Sequence, residues 1–254
     1  MDTIRTRDDM DDYRLTEALL CGQDESLMVD VLGCPVHPAI VAPFEALRSD
    51  AARAGFELKI VSGFRGFDRQ LAIWNAKASG RRPLLDSDGQ ALCFNELSCE
   101  QLLDAILRWS ALPGASRHHW GSDIDVYDAA AVASDYSVQL SPQEVNDGGP
   151  FAPLHDWLDH QLANGASYGF FRPYAEDRGG IAPERWHLSY APLSARCESA
   201  LTPGRLRQVL AEADIELKEP ILTHLDELYR RYVAVPKEAY PSAYAPLLAV
   251  GEEY

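Results

Sequence analysis

The chain has 254 residues, 46% of them hydrophobic and 24% charged, an ordinary globular composition with room for one well-buried catalytic domain. A formal net charge of −16 argues against nucleic acid or an anionic membrane surface as a partner. No stretch approaches the roughly 18 apolar residues needed to span a bilayer, and no obligate protein partner is evident.

The first twelve residues, MDTIRTRDDMDD, mix acidic and basic side chains without an apolar run, unlike a secretory signal. Cys21, Cys34, Cys93, Cys99 and Cys197 are odd in number and scattered, with no CxxC pair, and read as reduced thiols. A cytoplasmic rather than periplasmic location is therefore expected. From His37 to Ala54, apolar residues at helical spacing end at Gly55, a good helix stop. Phe56 to Val61 alternates like a half-buried strand, Ser62-Gly63 turns the chain, and Phe67 to Ala78 reads as a second helix with Leu71 and Trp74 inward.

Residues 81–95, with Pro83, Asp86, Asp88 and Gly89, predict a loop or flap. Ser98 and Gln101 form a capping-box pattern that opens a helix, ended by Pro113-Gly114. A short strand is expected at Ile124–Tyr127, a helical turn after Ser141, and a helix from Pro153 to Leu162 closed by Asn164-Gly165. Tyr168 to Arg172 and Trp186 to Tyr190 read as strands. Helices are expected at Arg205–Ala213 and Ile221–Tyr232, then an irregular end broken by Pro236 and Pro241. Residues 1–199 are expected to form the catalytic domain, and 200–254 a helical appendage packed on it.

Chemistry concentrates in two places. Ser116 to Asp125 sets His118 and Asp125 seven positions apart, with Gly121 between them to turn the backbone sharply. Glu184-Arg185-Trp186-His187 supplies a second imidazole with a glutamate three positions before it. Two imidazoles and one carboxylate are the ligand set of a hydrolytic zinc site, whose fourth position is left for water. Glu184 is then the candidate proton shuttle. The ExxH spacing differs from the helical HExxH pattern, and a strand geometry fits the separate jobs of Glu184 and His187 better. His119, His155, His160 and His224 have no partner motif around them and read as structural.

The chain resembles the VanY-type D-alanyl-D-alanine carboxypeptidases, zinc peptidases of the LAS fold, whose motifs run SGYR, SxHxxGxAxD, YGF and ExWH. Here they stand in order as Ser62-Gly63-Phe64-Arg65, then Ser116, His118, Gly121 and Asp125, then Tyr168-Gly169-Phe170, then Glu184, Trp186 and His187. The resemblance covers roughly residues 35–192. It implies an α+β fold, a small antiparallel sheet flanked by helices, and one zinc per chain held by His118, Asp125 and His187. It makes Glu184 the general base and has Arg65 hold the scissile carbonyl or the substrate's terminal carboxylate, with Gln70 and Ser116 lining the same pocket. The register with Gly121 and Asp125 selects His118 over His119. Two departures stand out: Phe64 for tyrosine, and Asp123 where the family has a small residue, which adds negative charge near the site.

The implied activity is removal of the terminal D-alanine from peptidoglycan stem peptides. For a cytoplasmic enzyme, L,D-cleavage of recycled tetrapeptides is favoured, since trimming pentapeptide precursors would undo wall synthesis. D,D-cleavage of pentapeptides and an endolysin-type endopeptidase share the same motifs. A zinc-binding protein without peptidase activity is the reading of a different class, and Glu184 with Arg65 argues against it.

Overall fold

Apolar residues three and four positions apart set the helices, and the computed structural model, which describes residues 15–87 and 89–251, places most of them near the expected spans. The expectation drawn from residues 1–12 and the mention of Asp88 lie outside the described residues. Among those described, no helix is long and apolar enough to cross a membrane.

A short helix α1 (Glu17–Leu20) and a hairpin, β1 (Val29–Val31) with β2 (Cys34–Val36), precede the first long element. Leu32 and Gly33 both take positive φ in that hairpin, the geometry a two-residue turn needs. A 3-10 turn over Pro38–Ile40 leads into α2 (Val41–Arg53), which buries Phe44, Leu47 and Ala51. Strand β3 (Leu58–Ser62) and helix α3 (Phe67–Ala78) follow, with Trp74 fully buried and Leu71 only partly so. Helix α4 (Cys99–Trp109) opens on Ser98, and both reciprocal hydrogen bonds of the capping box are made.

Beyond α4 come β4 (Asp123–Asp128), the capped turn α5 (Pro142–Val145), α6 (Ala152–Ala163), β5 (Phe170–Phe171) and β6 (His187–Tyr190). β5 has two residues where five were expected, because Tyr168 and Gly169 both sit at positive φ and cannot extend it. The sheet runs in the order β3-β4-β6-β5, every pair antiparallel. Helices flank it, and the fold is α+β as the sequence predicts.

The C-terminal third differs from expectation in two places. Helix α7 (Ala191–Ala200) begins directly after β6, with Pro192 in its first turn where the missing N–H costs nothing. Helix α8 (Pro203–Glu212) follows. The single helix expected from Ile221 to Tyr232 is instead α9 (Lys218–Thr223), a break at His224, α10 (Leu225–Leu228), and a π turn through Val233.

Leu206, Leu210, Ile221 and Leu225 are fully buried in the same cluster as Trp74 and Ile124. The Trp74 indole also donates to the Glu216 carbonyl at 3.0 Å. One buried core therefore joins residues on both sides of position 200. A smaller cluster packs Tyr240 against Phe171 and Ala195, covering the β5 edge.

Candidate metal and catalytic site

Strand register builds the site. Asp125 on β4 lies opposite Ser62 of β3 on one side and His187 of β6 on the other. The strand starts from a 3-10 turn over Arg117–Trp120 that ends at Gly121, at φ 64. A Cβ there would stand 2.7 Å from the His37 backbone nitrogen, so both the left-handed turn and the close approach require glycine. This turn aims His118 back at Asp125.

The ring nitrogens have distinct partners. His118 Nδ1–H donates to the Gly63 carbonyl at 2.9 Å, which turns Nε2 toward Asp125 Oδ2 at 3.3 Å. His187 Nδ1 lies 3.1 Å from Asp125 Oδ1, while its Nε2 lies 3.0 Å from Asp123 Oδ1. One atom from each of His118, Asp125 and His187 falls within 4.8 Å of the others, and all three residues are buried. Donors bonded at about 2.0 Å around one tetrahedral ion stand roughly 3.3 Å apart. The two imidazoles stand at 3.3 and 3.1 Å from the two oxygens of Asp125, near that figure, and two imidazoles with one carboxylate suit zinc.

The charges agree with a cation site. Burial pushes the Asp125 carboxyl up, but the two imidazoles outweigh it and hold Asp125 well below the usual carboxylate range. Burial alone would strip His187 of a proton, yet its hydrogen bonds to Asp123 and Asp125 raise it instead. Such a pocket draws positive charge between its carboxylates.

Glu184 stands beside this cluster, with Oε2 3.7 Å from His187 Nδ1. The Glu184–His187 segment is a tight turn ahead of β6, closed by the His187 N–H donating to the Glu184 carbonyl at 3.2 Å, rather than the extended strand expected. Burial raises the Glu184 carboxyl to about 7, against the pull of His187 and Arg65. A carboxyl poised near neutrality can both take and return a proton.

Arg65 reaches the site because its loop is fastened to the histidine turn. The Arg65 N–H donates to the His118 carbonyl at 3.1 Å, and His119 Nδ1–H donates to the Arg65 carbonyl at 2.5 Å. Gly63 allows the approach, since a Cβ there would meet the Pro35 carbonyl oxygen at 2.3 Å. The Arg65 guanidinium donates to Gln70 Oε1 at 3.0 Å and to Ser62 Oγ at 3.2 Å.

Gln70 and Ser116 are 0% and 2% exposed, buried as the metal ligands beside them are. Gln70 donates its side-chain amide N–H to the Ala111 carbonyl at 2.7 Å, which holds its Oε1 toward Arg65. Ser116 packs at the root of the turn that carries His118.

His119 is structural, as its lack of a partner motif implied: Nε2 accepts from the Gly114 N–H at 3.0 Å. His155 is buried beside Arg172, Nδ1 to Nη2 at 3.3 Å. Trp186 packs with Val145 and Phe151 in the core. Asp128 is spent on backbone, accepting from the Glu57 and Ala130 N–H groups.

Three neighbours of the site escaped the sequence reading. Lys77, on the same stripe of α3 as Gln70 and Trp74, donates to Ser110 Oγ at 2.7 Å, and burial brings its ammonium down to about 8. That one-sided spacing was the signal for it. The Tyr174 ring lies 5.1 Å from that of His187, and nothing in its local sequence marks it. Asp123 was flagged only as a departure, yet it bonds His187 directly.

The chain is similar to several known proteins. A protein of Haemophilus influenzae is 50% identical over 104 residues, covering 39% of this chain and 71% of its own length. A D-alanyl-D-alanine carboxypeptidase of Enterococcus faecalis is 26% identical over 159 residues, covering 61% of this chain and 48% of its own length. Among solved structures, VanYB in complex with D-alanine-D-alanine aligns over 73% of this chain and 89% of its own with a TM-score of 0.46 and 19% identity. The family pattern described as VanY, D-alanyl-D-alanine carboxypeptidase, matches residues 34–193, more than half of the chain and every residue of the metal cluster. The protein whose strands bring these ligands together thus belongs to the VanY family of D-alanyl-D-alanine carboxypeptidases.

Proposed function

We propose that this metallo-carboxypeptidase removes the terminal D-alanine from soluble muropeptides in the cytoplasm, preferring the L,D bond of tetrapeptides. The observation that carries the catalytic part is the convergence of Glu184 and Arg65 on the His118, Asp125 and His187 cluster. A zinc ion held by those three residues would supply Lewis acidity toward the scissile carbonyl and make water easier to deprotonate.

The protein's own groups do the rest. Glu184 Oε2 takes the proton of the attacking water and delivers it to the nitrogen of the departing D-alanine, which leaves as a neutral amine. The Arg65 guanidinium, held by Gln70 and Ser62, meets either the terminal carboxylate or the oxygen on which charge develops. Burial lowers its pKa on balance, with Asp125 and Glu184 opposing part of that, and a guanidinium so placed is still a cation. Arg65→Ala is expected to lower kcat/KM by on the order of 10²-fold with zinc content unchanged, as loss of one donor to a developing oxyanion does. Elemental analysis beside steady-state kinetics checks both halves.

Two features support the choice of substrate. The net charge of −16 disfavours docking on the anionic wall and favours small soluble fragments. Five free thiols suit a reducing compartment. There, trimming pentapeptide precursors would undo wall synthesis, whereas trimming tetrapeptides would not. The family's own description favours the second reading, D,D-cleavage of a pentapeptide.

Mass spectrometry of parallel digests separates the two. The tetrapeptide ending in meso-diaminopimelate–D-alanine should release D-alanine faster than the pentapeptide ending in D-alanine–D-alanine. Release from the pentapeptide alone would overturn the L,D preference. Amidation of the terminal carboxylate should depress cleavage sharply, and undiminished cleavage of the amide would point to an endopeptidase.

A further inference from the structure

The residue that departs most from the family's motif is also the one most tightly built in. Residues 123 and 125 share one face of β4, because side chains alternate along a strand. β6 sets Ser189 opposite Asp123 and His187 opposite Asp125. The His187 ring therefore lies between two carboxylates, with Nδ1 3.1 Å from Asp125 and Nε2 3.0 Å from Asp123. Since Nδ1 is the nitrogen turned to the metal cluster, Nε2 must carry the proton and donate it to Asp123.

Asp123 is 0% exposed and is itself fixed on every side. Oδ1 also accepts from Arg117 Nε at 2.8 Å, and Oδ2 accepts from Ser122 Oγ at 2.6 Å. A buried lone carboxylate would be costly, and the Arg117 guanidinium supplies the counter-charge. Arg117 is in turn held by Glu198 at 2.5 Å, Ser189 Oγ at 2.8 Å and the Tyr240 hydroxyl at 3.1 Å, and it stacks 4.7 Å from the Trp120 ring. Glu198 takes a further bond from the Val235 N–H at 2.9 Å. Val235 and Tyr240 lie beyond residue 193, where the family match ends, so the region that closes this network is the C-terminal one.

We propose that Asp123, locked by Arg117 and through it by Glu198 and Tyr240, is a positioning residue that fixes the tautomer and orientation of His187 as a metal ligand. The inference rests on the reading of His118, Asp125 and His187 as the zinc ligands. A carboxylate that accepts the far N–H of a ligating imidazole makes the other nitrogen a better donor and limits ring rotation. Asp123 is fully buried and meets His187 at the nitrogen turned away from the cluster, so its effect should appear first in metal affinity.

The test is zinc affinity of the full chain, measured by competition with a chromophoric chelator, with folding followed by circular dichroism. Asp123→Asn keeps the shape but gives up the charge, and should bind zinc about 10- to 100-fold more weakly. Asp128→Asn removes a charge from the same strand without touching His187, and should bind zinc as the parent does. Equal affinity in folded Asp123→Asn and parent, or an equal loss in both variants, would overturn the proposal. If Asp123→Asn does not fold, proton NMR of the zinc-loaded parent decides. A slowly exchanging, downfield His187 Nε2–H supports the Asp123 bond, and its absence overturns it. A parent that binds no zinc would instead refute the ligand assignment itself.

Discussion

A Glu184→Gln variant should bind zinc as the parent does and lose hydrolysis by about 10²-fold or more, the range expected when a general acid–base group is removed. Glutamine is nearly the same size and shape, so the turn closed by the Glu184 carbonyl and the His187 N–H has no reason to move. What disappears is a carboxylate whose Oε2 stands 3.7 Å from His187 and whose proton affinity burial has raised to about 7. Among the described residues, the ionisable groups nearest it are engaged otherwise. Asp125 is committed to both imidazoles and held far below the carboxylate range, Asp123 is bonded to Arg117 and Ser122, and Lys77 is a cation. Single-turnover assays with zinc content measured on the same samples check the split between binding and chemistry. Undiminished turnover would move the base elsewhere and revive the reading of a zinc-binding protein without peptidase activity.

Much of the site was legible because its chemistry sits in short motifs. The His118–Gly121–Asp125 spacing needs one left-handed residue to fold back, and glycine marks it in the sequence. His187 follows Glu184 closely enough that both face one point whether the segment is extended or, as found, turned.

What stayed hidden depends on partners distant in the chain. The role of Asp123 exists only through the pairing of β4 with β6, 64 residues apart, and that of Arg117 only through Glu198 and Tyr240. Gln70 is five residues from Arg65, and only the fold shows that its Oε1 accepts from the Arg65 guanidinium. In the fold, α7 runs through Pro192 without a break, because a proline's missing N–H matters only past the first helical turn. The break at His224 has no local signal at all. It lies within an unbroken apolar period, and packing overrides the propensity.

His118→Ala and His187→Ala should each reduce bound zinc from about one equivalent per chain to near zero, and abolish hydrolysis with it. Each substitution leaves two protein donors, and the remaining Asp125 keeps its place between β3 and β6 without the geometry that two imidazoles impose. The loss should also register in stability. A ligand that binds only the folded chain stabilises it by RT ln(1 + [L]/Kd), about 4 kcal/mol at a thousandfold excess over Kd. Zinc should therefore raise the Tm of the parent by several degrees and leave that of either variant unmoved.

His160→Ala is the suitable control, being exposed on α6, whereas His119 is not, since its ring ties Gly114 to the Arg65 loop. The two ligand variants differ in one respect that the structure makes specific. Removing the His187 ring also strips Asp123 of its Nε2–H donor, leaving that carboxylate to Arg117 and Ser122. Removing His118 frees the Gly63 carbonyl and takes one imidazole from Asp125, a loss that removing His187 shares. Zinc-free His187→Ala should for that reason melt below zinc-free His118→Ala, a comparison that calorimetry reads directly. Full zinc retention in both variants would sink the three-ligand assignment.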